Sequence, residues 1–98
     1  GYAPKDPPAI LFHGTVAKFL DAIKREGLIK GARHHVHLSA TRDTAEKVGA
    51  RRGKAVILEV KASEMALGGH PFFLSANGVW LTERVPPSYI VFPAVTPR

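Results

Sequence analysis

An α+β fold is predicted by three features of this 98-residue chain. Two helical segments come early, an amphipathic one over residues 16–26 and a capped one over 42–50. Short strand-like runs dominate the second half. No internal repeat or low-complexity tract is present to suggest a solenoid or an array.

The elements follow in order. Gly1-Tyr2-Ala3-Pro4-Lys5-Asp6-Pro7-Pro8 carries three prolines in eight residues and reads as a linker, residues 1–9, ahead of one domain over 10–98. The chain opens without methionine, and a piece of a longer protein is expected. Ile10-Leu11-Phe12-His13 is an apolar run closed by Gly14, a predicted strand. Residues 16–26 place Val16, Phe19, Leu20 and Ile23 on one helix face, with Thr15 as the expected cap and Gly27 as the stop. Residues 35–39 alternate as a strand, with Val36 and Leu38 on one face and His35, His37 and Ser39 on the other. Thr41 is the expected cap of a helix over 42–50, with Asp43 favourably placed in its first turn. Arg51-Arg52-Gly53 is a basic turn. Residues 55–60 form the strongest strand, β-branched and nearly all apolar. Residues 62–67 suit one or two helical turns before Gly68-Gly69. Residues 72–74 and 79–81 are strands around a turn at Ser75-Ala76-Asn77-Gly78. Pro86-Pro87 breaks the chain, and 89–92 is a closing strand.

Composition narrows the function classes. Hydrophobic content of 45% and charged content of 22% describe an ordinary globular chain. The absence of cysteine excludes disulfides and thiolate metal sites and fits a reducing, intracellular (cytoplasmic) setting. No apolar run is long enough to span a membrane, and no membrane partner is expected. The whole formal net charge of +6 falls within residues 24–54, which hold nine lysines and arginines against three acidic groups. Such a patch favours a phosphate-rich partner, or else it is a pair of solvated helix faces.

The histidine segment carries the chemistry. Burying two imidazoles and a hydroxyl on one strand face without partners costs roughly 1–3 kcal/mol each. That face therefore lies open to solvent or lines a polar site, with Arg33 at its mouth. His13-Gly14-Thr15 reads as a strand-to-helix turn where a backbone can approach a ligand and helix amides can meet an anion. His34, His35, His37 and His70 invite a metal reading, but no nearby carboxylate completes a set, and no metal site is expected. No Gly-x-Ser-x-Gly, Gly-x-Gly-x-x-Gly or P-loop motif occurs. Trp80 is expected in the core.

Phe12-His13-Gly14-Thr15, then Arg33-His34-His35-Val36-His37-Leu38-Ser39, then Asn77-Gly78-Val79-Trp80-Leu81-Thr82, in this order and spacing, resemble the RNA 2′-phosphotransferase family, NAD-dependent enzymes that remove a splice-junction 2′-phosphate from tRNA. The likeness runs from about Pro8 to Ile90. It implies an ADP-ribosyltransferase-like split β-sheet core with two main helices, NAD as co-substrate, and 2′-phosphorylated RNA (tRNA) as partner. It also implies that His13 bonds a ribose hydroxyl of NAD and that the Gly14 backbone bonds the nicotinamide amide. By the same resemblance Thr15, His37 and Ser39 would complete the cofactor-binding set, and Arg33 matches the family's essential arginine, which would grip the phosphate. Arg51 and Arg52 are candidates for RNA phosphate. Many ADP-ribosyltransferases carry a glutamate where this chain has Val79; a 2′-phosphate is already anionic and needs no such base. The family's enzymes carry a preceding N-terminal lobe that completes the phosphate site, and this chain has none of its motifs. The alternatives are an ADP-ribosyltransferase with another acceptor, including nucleic-acid phosphate ends, a non-catalytic RNA-binding module, and a metal-binding domain.

Overall fold

The computed structural model describes residues 2–94. Gly1 of the expected linker and residues 95–98 of the expected domain lie outside the described residues. Among the described residues, three small antiparallel sheets and three α-helices make an α+β domain. The strands are β1 (Leu11–Val16), β2 (Leu28–Ile29), β3 (Val36–Leu38), β4 (Ala55–Val60), β5 (Phe72–Leu74), β6 (Trp80–Thr82), β7 (Arg84–Val85) and β8 (Ile90–Val91). The helices are α1 (Leu20–Glu26), α2 (Arg42–Ala50) and α3 (Ala62–Leu67).

β4 is the centre of the first sheet, between β1 and β8. β6 is the centre of another, between β3 and β5, and all three of its residues are buried. β2 and β7 form a short pair of their own. The first two sheets touch through one bridge, in which Phe12 and Ser39 exchange backbone bonds of 2.9 and 2.8 Å. The core lies between the sheets and helices. Leu11, Leu58, Val60, Met65, Phe72 and Val85 are almost fully buried there. Each such side chain contributes roughly 1.5–3 kcal/mol by leaving water.

Local chemistry explains most boundaries. Thr41 caps α2 as expected, its hydroxyl accepting the Thr44 amide at 3.2 Å. Gly27 ends α1 with φ +77°, and a Cβ there would lie 2.0 Å from the Val85 carbonyl oxygen. The Ser75–Gly78 turn closes with a Gly78 amide bond to the Ser75 carbonyl at 3.0 Å. Segment 2–10 carries no regular element, yet the Lys5 amide bonds the Phe72 carbonyl at 2.8 Å.

Four expectations need correction. β1 does not stop at Gly14 but runs through Gly14 and Thr15 to Val16, because residues 11–16 pair without a break against β4. Thr15 therefore caps nothing: a 3-10 turn at Ala17–Phe19 leads into α1, with Val16 at its cap and no side-chain bond. Phe19 leaves the expected buried face and is 37% exposed, its ring under the Lys18 ammonium at 5.2 Å. At the chain's end, Pro87–Tyr89 is a 3-10 turn and only Ile90–Val91 is strand. The strand pair β2–β7 carries too short a pattern to be read from sequence.

Candidate functional site

The site is built where the two larger sheets part. In an antiparallel pair, both backbone groups of a residue point to one side and alternate along the strand. Phe12 turns its amide and carbonyl to Ser39, away from β4. Gly14, two residues on, turns the same way. In a continued ladder its partner would be His37. The ladder stops after one bridge, and the His37 carbonyl instead accepts a bond from His13 Nδ1 at 3.1 Å. The His13 ring thus occupies the acceptor that Gly14 would have used. The Gly14 backbone is left facing the opening between the sheets.

That bond fixes the protons on His13. A carbonyl only accepts, so Nδ1 carries the hydrogen and Nε2 is an acceptor while the ring is neutral. Burial holds the His13 pKa below its ordinary value; the bond to the His37 carbonyl opposes this, and the charges of Arg52 and Arg33 and the His37 ring add to the lowering. A second contact fixes His37. Arg33 Nη1 stands 2.7 Å from His37 Nδ1. A guanidinium only donates, so Nδ1 accepts and the ring proton is on Nε2. Partial loss of hydration and then the charges of Arg33 and His35 lower the His37 pKa.

Two clefts flank this pair. The smaller, about 260 Å³, is lined by His13 and Thr15 of β1, residues of α1 and Arg52. The larger, about 620 Å³, is lined by Arg33, His34, His35 and His37 with Phe73 and Leu81. The sequence-predicted residues are thus divided: His13, Thr15 and Arg52 on one side, Arg33 and His37 on the other, joined by the two histidine bonds. Ser39 spends its backbone on Phe12. Arg51 lines neither cleft. The expected helix start at Thr15, with amides for an anion, is absent because Thr15 is strand; its side chain, 6% exposed, faces the smaller cleft instead.

Gly14 has a second role that the sequence did not signal. Its missing side chain admits α2, since a Cβ would stand 1.8 Å from the Ala45 carbonyl oxygen. Sequence reasoning also passed over Phe19, Glu26 and Phe73 as cleft walls. The one available signal was that Phe73 alternates with the buried Phe72. The basic third of the chain is not all free for a partner. Arg42 pairs with Glu59 at 2.7 Å over the Phe12 ring, and Lys30 pairs with Glu83 at 2.6 Å. The latter bond draws the Glu83 pKa down. Val79 lies just before β6, its amide bonded to Ser75 Oγ at 3.0 Å. Among the described residues, no three histidines or carboxylates stand together as a metal set. No described helix is long and apolar enough to cross a membrane.

Residues 2–84 match the sequence model of the RNA 2'-phosphotransferase, Tpt1 / KptA family. The chain belongs to that family. It is 58% identical over 89 residues to a probable RNA 2'-phosphotransferase of Pseudomonas aeruginosa, covering 91% of this chain and 49% of that protein. A probable RNA 2'-phosphotransferase of Streptomyces griseus is 57% identical over 88 residues, 90% of this chain and 47% of its own length. One from Escherichia coli is 61% identical over 84 residues, 86% of this chain and 46% of its own length. The chain spans about half the length of these curated relatives and corresponds to their C-terminal region. The RNA 2'-phosphotransferase match covers every residue of both clefts named above, from His13 to Leu81.

Proposed function

We propose that this chain is the NAD-binding half of an enzyme that transfers an internal 2′-phosphate of RNA to NAD. The observation that carries the reading is the half-buried Gly14 edge, whose ladder position opposite His37 is taken by the His13 ring, with Arg33 one histidine away. An amide and a carbonyl on one strand edge match a carboxamide, which needs both an acceptor and a donor. This fits the nicotinamide end of NAD. The Nε2 lone pair of His13 suits a ribose hydroxyl, and Thr15 and Arg52 offer a hydroxyl and a cation to the remainder in the smaller cleft. His37 stands on the side of the larger cleft, and Ser39 holds β3 to β1 through Phe12.

In the reaction, a 2′-phosphate oxygen bonds to C1 of the nicotinamide ribose and nicotinamide leaves. The ribose 2-hydroxyl then attacks phosphorus, its proton passing to the departing RNA 2′-oxygen. The products are 2′-hydroxyl RNA, nicotinamide and ADP-ribose 1″,2″-cyclic phosphate. Arg33 holds the phosphate in line with C1; its planar fork grips two oxygens and never loses charge. Alignment of this kind can supply roughly 7–11 kcal/mol of a barrier. Arg51 and Arg52 add attraction for the RNA backbone. The absence of a carboxylate at Val79 suits an acceptor that is already an anion. On this reading the enzyme works in the cell interior on NAD and tRNA, and the split sheets are an ADP-ribosyltransferase-like fold.

Calorimetry tests the reading. NAD is titrated into the chain, then into the chain with a 2′-phosphorylated oligonucleotide present. Saturable binding of NAD, weakened by nicotinamide, is expected. No heat with NAD would sink the proposal.

A further inference from the structure

We infer that His37 is a positioning residue that aims Arg33 into the larger cleft, its ring serving as the acceptor that holds the guanidinium and its carbonyl fixing the proton on His13. The inference deepens the phosphotransferase reading and rests on it for the identity of the anion that Arg33 meets. Three observations carry it. Arg33 lies in the loop before β3, where no regular element fixes its side chain. Among the described residues its guanidinium makes one side-chain bond, the 2.7 Å contact to His37 Nδ1. The His37 position is set by its register with Leu81 of β6 and by the His13 ring bond to its carbonyl at 3.1 Å. A strand residue thus orients a loop cation, and a guanidinium fixed at one nitrogen keeps its others for two phosphate oxygens.

The same geometry makes the contact sensitive to acid. The groups that share the cleft with the His37 ring or act on it are Arg33, His34 and His35 from its own segment, Tyr2 from the N-terminal segment and His13 from β1; β6 and β5 present the apolar Leu81 and Phe73. No carboxylate faces it among these groups. A protonated His37 would lose its acceptor and repel Arg33, releasing the guanidinium.

The test uses this chain with wild-type, His37→Asn and His37→Leu forms. Asparagine keeps an acceptor near the place of Nδ1 and does not titrate; leucine has none. Nitrogen NMR of the rings should show the proton on Nε2 of His37 and on Nδ1 of His13. Affinity for a 2′-phosphorylated oligonucleotide is then measured at pH 7.5 and 5.5, with the 2′-hydroxyl form as control. His37→Leu should bind the phosphorylated form about tenfold more weakly, the effect of one charge-assisted bond. His37→Asn should bind nearly as the wild type at pH 7.5 and lose less affinity at pH 5.5, the phosphate's own titration being common to both. Equal affinity of all three forms, or a wild type that gains more than His37→Asn on acidification, would overturn the inference. A wild type blind to the 2′-phosphate, with ring protons as stated, would instead sink the phosphotransferase reading and leave the Arg33–His37 contact standing.

Discussion

Gly14 and Gly49 meet backbone to backbone where α2 crosses β1. A Cβ on Gly14 would lie 2.9 Å from the Gly49 nitrogen, and one on Gly49 would lie 3.1 Å from the Gly14 carbonyl carbon. The strand that carries His13 is therefore set at its depth by the absence of two side chains. The face of Gly14 seats the helix, while its edge faces the opening between the sheets. One residue thus joins packing to binding.

Gly14→Ala should be the more damaging change at this contact. Its methyl would stand 1.8 Å from the Ala45 carbonyl oxygen, which is helix backbone and cannot swing aside. Overpacking of this kind costs about 1–3 kcal/mol or more. Gly49→Ala, with its nearest neighbours at 3.1 Å, should cost less. Urea denaturation of both variants checks the order. Equal midpoints would show that α2 can slide on β1.

His13→Ala should weaken NAD binding by about 1 kcal/mol or more, the loss of one bond to a buried partner. It also removes the ring that occupies the His37 carbonyl, so the Gly14 amide gains an open ladder partner. Amide exchange at Gly14 should slow as NAD affinity falls. Unchanged NAD affinity, read by calorimetry, would remove His13 from the site.

Acid should destabilise the fold through the two coupled histidines. Both have folded pKa values below the ordinary value near 6.5. Below about pH 6.5 the unfolded chain takes up protons that the folded chain resists, so stability falls as the pH drops and is flat above that point. His13, the more buried, should account for most of it; His37 is exposed and its share is screened. Urea midpoints between pH 7.5 and 5.5 measure the slope. His13→Ala should flatten it.

How much of this was legible in the sequence depends on range. Thr41, Gly27 and the Ser75–Gly78 turn act within a few residues, and their chemistry sets helix and hairpin ends directly. The alternation of residues 35–39 put His37 on the open face, which holds: Val36 and Leu38 are buried and His37 is not. The His13-Gly14-Thr15 segment reads as a turn in sequence because a glycine inside a strand looks like its end, yet it is strand. What keeps it in the strand is β4, some forty positions later, and what demands glycine is α2. The division of the site into two clefts was invisible for the same reason. It follows from one ring displacing one ladder bond between segments far apart in the chain.

Arg33→Lys should separate RNA from NAD. A lysine can reach toward His37 or toward a phosphate, but its single ammonium cannot hold the ring and grip two oxygens together. In an enzyme of the relatives' full length that carries this chain as its C-terminal half, nicotinamide release with 2′-phosphorylated RNA should fall about 10- to 100-fold, the worth of one or two charge-assisted bonds. NAD affinity should change by no more than about threefold, since Arg33 faces the larger cleft and exposed charges act weakly at a distance. The 98-residue chain alone should bind NAD yet release nicotinamide far more slowly than the full-length form, because groups that act as a unit fail together when one is missing. Single-turnover assays and calorimetry on the same preparations check both halves of the claim. An equal loss of NAD affinity and turnover in Arg33→Lys would make Arg33 a dinucleotide ligand. Turnover by the short chain near the full-length rate would mean that the two clefts described here are a complete active site.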